Sequence, residues 1–327
     1  MKVLALAAAL CASCLVYGAE AGGTWHLDST IPLGNVAGRL DHLAVNLQRG
    51  RLFVAEVANN TVSVIDLNSH QLLKRISGFS EPQGIAFSSA DDLLIVANGG
   101  DGTVRFLHGS DFTELARLEL GDDADNILLD DVAHRAYIGF GHAVAIVDTQ
   151  THQPIAAVPL KAHPEGIELD RRRMRLLINV PGAREIAVID IDRRKQVAAW
   201  PTRELAANFP AASDLTHDEL LSVFRAPATL SAFNMRAGGM ITGVATCDDA
   251  DNVFFDSRRA RVYVICGAGF VDVFARRNGA YVREQRVPTM AGARTGLFAP
   301  ETDQLFVACR ATATHAAAVW IFHTVSP

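Results

Sequence analysis

Short apolar runs, separated by polar turns, recur along the chain at a nearly fixed interval. The clearest copies are VSVID at 62–66, VAIVD at 144–148 and IAVID at 186–190, with weaker ones at 104–107, 230–234, 271–274 and 319–322. Their first residues lie 42, 40, 42, 44, 41 and 48 positions apart. A second apolar string precedes each, as in LFVAE at 52–56, LLIVAN at 93–98 and VYVIC at 262–266. A third opens the unit, as in DHLAV at 41–45 and QGIAF at 83–87, and a fourth closes it, as in LLKRI at 72–76. Runs this short, rich in Val, Ile and Phe and bounded by Gly, Asp and Asn, read as strands and not as helices. Four strands per unit, repeated seven times, predict an all-β fold: a seven-bladed β-propeller of four-stranded antiparallel blades.

The seventh unit supplies only three strands before the chain ends. The segment 25–33 precedes the first unit and resembles a fourth strand, with Ile31, Pro32 and Leu33 matching Val158, Pro159 and Leu160. It is expected to complete the last blade, closing the ring and hiding two strand edges. Ahead of it, Lys2, an apolar run over 3–17 and the small residues Ala19 and Ala21 read as a Sec-type secretory signal peptide. The chain is thus divided into a signal at 1–21 and a single propeller domain at 22–327, with a periplasmic or secreted location. A lipoprotein anchored through Cys14 is the lesser expectation. The mature chain is expected to be a monomer with no transmembrane segment.

Hydrophobic residues make up 49% of the chain, enough for a large core. The formal charge is −6, and Lys and Arg are scattered apart from the run Arg171 to Arg173, which argues against a nucleic-acid partner. Of five cysteines, Cys11 and Cys14 fall in the signal, and no CxxCH string exists for covalent haem. Cys247 and Cys266 lie in one blade and form the expected disulfide. Cys309 sits on the neighbouring blade, beyond bridging distance. Three free buried thiols are the alternative.

The VSVID and LFVAE strings, with PQGIAF at 82–87, resemble the YVTN repeat of YncE-like bacterial periplasmic propellers. GRLDHLAV at 38–45, GDDADN at 121–126, AHPEG at 162–166, ANFP at 207–210 and GART at 292–295 are similar to a periplasmic subgroup of that family. The resemblance implies binding or scaffolding more often than catalysis, and it carries over no defined activity.

In a propeller the first strand of each blade lines the central channel, and the loops leading into it gather at one mouth. Aligning the seven first strands puts Asp41, Gln83, Asp125, Glu165, Ala211, Asp251 and Thr295 at equivalent positions, so that four blades bring carboxylates. His42, Asn126 and Asn252 follow, with glycines at 84, 166 and 296, while Arg39, Asp123, His163 and Arg294 lie just upstream. The candidate ligand-binding mouth therefore comprises Arg39, Asp41, His42, Gln83, Asp125, Asn126, His163, Glu165, Arg225, Asp251, Asn252 and Arg294. His42 and His163 are the candidate histidines because Asp41 and Glu165 lie close to them in sequence.

Four acids around one opening repel each other, so they should recruit a cation or basic group or have raised pKa values. Asp41, His42, Asp125, Glu165 and Asp251 are the residues that would hold a divalent metal ion, the one cofactor considered. The competing reading makes them solvated turn residues. Arg39, Arg225 and Arg294 either offer anion-binding points or pair internally with Asp41 and Asp251. Ser213, Asp214 and His217 look like a triad, but Asp214 to His217 marks a turn between strands. No residue is assigned a catalytic role. The expected function is a non-catalytic scaffold binding a small ligand, a metal or a protein partner through an acidic mouth. The alternative is a divalent-metal-dependent hydrolase of lactonase type, with Glu165, Asn126, Asn252 and Asp251 as ligands.

Overall fold

The computed structural model describes residues 24–325, and in it the repeat becomes seven four-stranded antiparallel sheets set in a ring. The signal peptide, the lipoprotein alternative, Cys11 and Cys14 lie outside the described residues. Each sheet is a meander, its four strands following one another from the channel outwards. The innermost strands are Leu40–Asn46, Pro82–Ser88, Ala124–Asp130, Ile167–Asp170, Ala206–Asp214, Ala250–Asp256 and Gly296–Ala299. The fold is a seven-bladed β-propeller. Among the described residues no helix is long and apolar enough to cross a membrane.

The continuous apolar strings are the middle strands, which have a neighbouring blade on each face and so need apolar residues on both. Arg51–Glu56 and Leu93–Asn98 are buried almost throughout. The outermost strands are exposed on one side, and residues 241–245 alternate, because only one face is covered. Each of the seven blade junctions has its own apolar cluster. Fully burying one Val, Leu, Ile or Phe contributes roughly 1.5–3 kcal/mol, so the ring is held chiefly by apolar packing between sheets, with scattered hydrogen bonds between blades and no strand ladder joining them.

The strand Thr24–Gly34 completes the last blade, pairing antiparallel with Ala317–Val325 from Thr24 opposite Val325 to Gly34 opposite Ala317. Ile31 stands opposite Val319 just as Val158 stands opposite Val144, which explains the Ile-Pro-Leu and Val-Pro-Leu likeness. Trp25 also reaches the sixth blade, packing edge-on against Tyr263 at 5.0 Å between centroids. Cys247, in the loop before the sixth blade, is joined to Cys266 at the end of that blade's second strand, with the Cα atoms 5.8 Å apart. Cys309 is free and buried.

Candidate functional site

The inner strands do not enter their sheets smoothly. In blades one, two, three, five and six the pairing with the second strand slips next to the mouth: Leu40 pairs with Glu56 and the next partner is Leu43 with Val54. The same slip follows Pro82, Ala124, Asn208 and Ala250. A bulge at this point bends the strand and re-aims the side chains of the skipped residues. Those residues include Asp41, Gln83, Asp125 and Asp251.

Register also corrects the ring drawn from sequence. Leu43 pairs with Val54, Ala211 with Ser222 and Gly296 with Val307, all at the same place in their blades. Counting back, the residues equivalent to Asp41 are Phe209 in blade five and Arg294 in blade seven, not Ala211 and Thr295. Neither blade has an acid or amide at that position to mark it, so the apparent starts misalign. The position after the ring holds Gly84 and Gly166, where neighbouring backbone leaves no room. A Cβ on Gly84 would lie 1.9 Å from the Asp125 carbonyl oxygen, and one on Gly166 2.7 Å from that of Phe209.

The mouth opens into a cavity of about 660 Å³, and all twelve residues expected to form the mouth line it. Several of its charges are paired. On one side Arg39 pairs with Asp41 at 2.6 Å and donates to Gln83 Oε1, while Gln83 donates to Asp123 Oδ1 at 3.2 Å. Two blades round the ring, Asp251 lies between Arg225 Nη2 at 2.5 Å and Arg294 Nε at 3.0 Å. Arg39, Arg225 and Arg294 thus pair internally with Asp41 and Asp251. Asn252 accepts the Gly296 N–H at 2.9 Å, which fixes the inner strand of blade seven.

Asp125 and Glu165 have no such partner. Asp125 Oδ1 is enclosed and accepts no hydrogen bond among the described residues. His42 Nε2 lies 3.9 Å from it, equally far from Asp41. Glu165 receives only a 3.4 Å contact from Asn126 Nδ2. Burial pushes Asp41 up to about 7, against the pull of His42 and Arg39. Burial, with the charges of Asp125 and Asp251, pushes Glu165 up to about 9. Asp125 is raised too, by burial first.

His163 is not placed by Glu165. Its Nδ1 donates to the Gly141 carbonyl at 3.0 Å, and its nearest acid is Asp123 at 3.7 Å, because the loop before blade four folds back towards blade three. Among the described residues no three His, Cys, Asp or Glu side chains form a group able to hold a metal ion. The five residues of the metal expectation are thus not brought together as a ligand set: guanidiniums hold Asp41 and Asp251, and Glu165 faces Asn126.

Sequence reasoning missed Phe209, Glu168 and Ser213 in this cavity. Ser213 Oγ donates to Glu168 Oε2 at 2.7 Å, whereas His217 faces Asp214, so the triad-like string is split between two environments. Burial pushes Glu168 up to about 7. The signal for Phe209 was ANFP at 207–210, which needs only the blade-five register to fall into the ring.

No protein-family model and no curated protein sequence matches the chain. Solved structures match by shape. A chain of the Kuenenia stuttgartiensis hydrazine synthase superposes with a TM-score of 0.77 at 15% identity, over 90% of this chain and 98% of that one. A chain of a mitotic checkpoint complex gives 0.79 at 12% identity over the full length of both. The WD40 repeats of RRP9 give 0.78 at 10% identity over 91% and 97%. Likeness at such low identity shows the fold alone.

Proposed function

We propose that this propeller is a non-catalytic binding scaffold of the periplasm or extracellular space, of the YVTN-repeat, YncE-like kind. Its channel mouth takes a small ligand or a partner's side chain that presents hydrogen-bond donors or a cationic nitrogen to Asp125 and Glu165. One observation carries this reading: Asp125 Oδ1 is enclosed beside a cavity of about 660 Å³ and receives no hydrogen bond, while the other aspartates of the ring have guanidiniums. An enclosed acceptor without a donor costs roughly 1–3 kcal/mol, which a donor-bearing ligand recovers. The signal-like segment at 1–21 supports the location, and the repeat strings support the family.

A metal-dependent hydrolase is less well supported by the side chains present. Of the ligands it requires, Asp251 already receives two guanidiniums and Asn252 Oδ1 is taken by the Gly296 N–H.

The test is calorimetric titration with methylguanidinium, a minimal donor-rich cation. Wild type is expected to bind it, and the pair Asp125→Asn with Glu165→Gln to lose binding about tenfold or more. Equal binding by both proteins, or none by wild type, sinks the reading. Elemental analysis of protein purified without chelator runs beside it. A stoichiometric divalent ion, with lactone hydrolysis lost on chelation and restored by metal, would put the hydrolase in its place.

A further inference from the structure

Beside the main cavity, where the first blade meets the last, lies a notch of about 120 Å³ framed by Arg39, Arg294 and Arg310, with Asp249 as its one carboxylate. Arg39 is also paired with Asp41, and Arg294 with Asp251, in the adjoining mouth. Asp249 is already engaged, 3.1 Å from Arg294 and 3.4 Å from Arg225. Arg310 has no carboxylate within ion-pairing distance and no side-chain hydrogen bond among the described residues. Arg39 Nε is enclosed and likewise donates to nothing.

The local backbone accommodates the third guanidinium. Gly292 has a φ of +84°, which favours glycine, and the guanidinium of the exposed Arg310 lies against it, with Nε 2.4 Å from where a Cβ would sit. Arg310 is thus the one guanidinium of the notch without a counter-charge among the described residues, and its planar fork is suited to an oxygen pair.

We propose that this notch is an oxyanion subsite, in which Arg39, Arg294 and Arg310 take one carboxylate or phosphate group of the ligand held in the mouth. Its volume of about 120 Å³ is enough for such a group. Arg39 and Arg294 line both cavities, so a ligand with its anionic end here extends directly towards Asp125 and Glu165. The ligand class is then a small zwitterion: an acid that also carries an amine or another donor. This rests on the reading of the mouth as the binding site, but it adds Arg310, which that reading does not use.

The experiment is calorimetric titration of wild type at low ionic strength with inorganic phosphate and, separately, with acetate. Saturable binding of at least one is expected, and the tighter of the two identifies the oxyanion. Arg310→Gln should weaken that binding about tenfold and Arg310→Lys by less, because an ammonium keeps the charge and loses the fork. Arg310→Gln should leave methylguanidinium binding and the melting temperature unchanged, which separates loss of the notch from misfolding. The proposal is overturned if neither anion binds wild type at about 10 mM. It is equally overturned if Arg310→Gln binds as tightly as wild type. Phosphate or acetate binding that depends on Arg310, without methylguanidinium binding, would remove the cation reading and leave the notch standing.

Discussion

The guanidinium of Arg225 lies over the ring of Phe209, 3.8 Å from its centroid, and from that shelf places Nη2 2.5 Å from Asp251. Blade five therefore contributes to the ring through an aromatic that steadies a neighbour's counter-charge. A cation over a ring is worth roughly 0.5–2 kcal/mol when partly desolvated. A double-mutant cycle of Phe209→Ala and Arg225→Ala, read by urea unfolding, should show coupling of about that size. Additive effects would mean that Phe209 only fills space.

Stability should fall as pH rises. Burial pushes Glu165 up to about 9, and Asp41 and Glu168 up to about 7, from ordinary carboxylate values near 4. Between those limits the folded chain binds more protons than the unfolded one, so the stability slope with pH is negative. The protein should melt higher at pH 5 than at pH 8. Glu165→Gln, which imitates the protonated acid, should change little at pH 5 and raise the melting temperature by roughly 2–5 °C at pH 8. A variant that melts lower than wild type at pH 8 would show that ionised Glu165 is a structural asset.

The number of blades, the four-strand unit and the closing strand were all legible, because strand periodicity and turn residues repeat seven times and errors in one unit are corrected by the others. The ring of channel residues was legible in blades one to four and six, where a polar residue directly precedes a regular apolar string. It failed in blades five and seven, where the ring position holds Phe209 or Arg294 and not an acid or amide, and only pairing tells these from Ala211 and Thr295. The pairing of acids with arginines was unreadable for another reason. Arg225 reaches Asp251 from the end of the preceding blade's second strand, a contact set by the packing of two sheets and not by any local spacing.

The bond between Cys247 and Cys266 ties the loop before blade six to that blade's second strand across a separation of 19 residues. Loop-closure arguments give such a link roughly 2–4 kcal/mol. Cys247→Ser with Cys266→Ser should shift the urea midpoint down accordingly. Cys309 is buried, and burial pushes its thiol up to about 12, so it should resist thiol reagents until the protein unfolds. In a chain beginning at Gly22, one thiol per molecule should react in denaturant and none in native buffer. Three reactive thiols would remove the bridge.

Closure of the ring makes the sharpest demand on one side chain. Trp25 is 3% exposed, packs edge-on against Tyr263 and Phe298, and exchanges two backbone hydrogen bonds with the Gln285 amide on the sixth blade. It anchors the strand that covers the otherwise open edge of Ala317–Val325. Trp25→Ala removes a large buried ring and should cost about 3–5 kcal/mol. Deleting residues up to Gly34 does more, because it bares the hydrogen-bonding edge of that strand to other chains. The truncated protein should elute as dimers or larger species in size-exclusion chromatography and unfold at lower urea. If it stays monomeric with an unchanged urea midpoint, the first and last blades hold each other through their apolar cluster alone, and the strand is a cover and not a clasp.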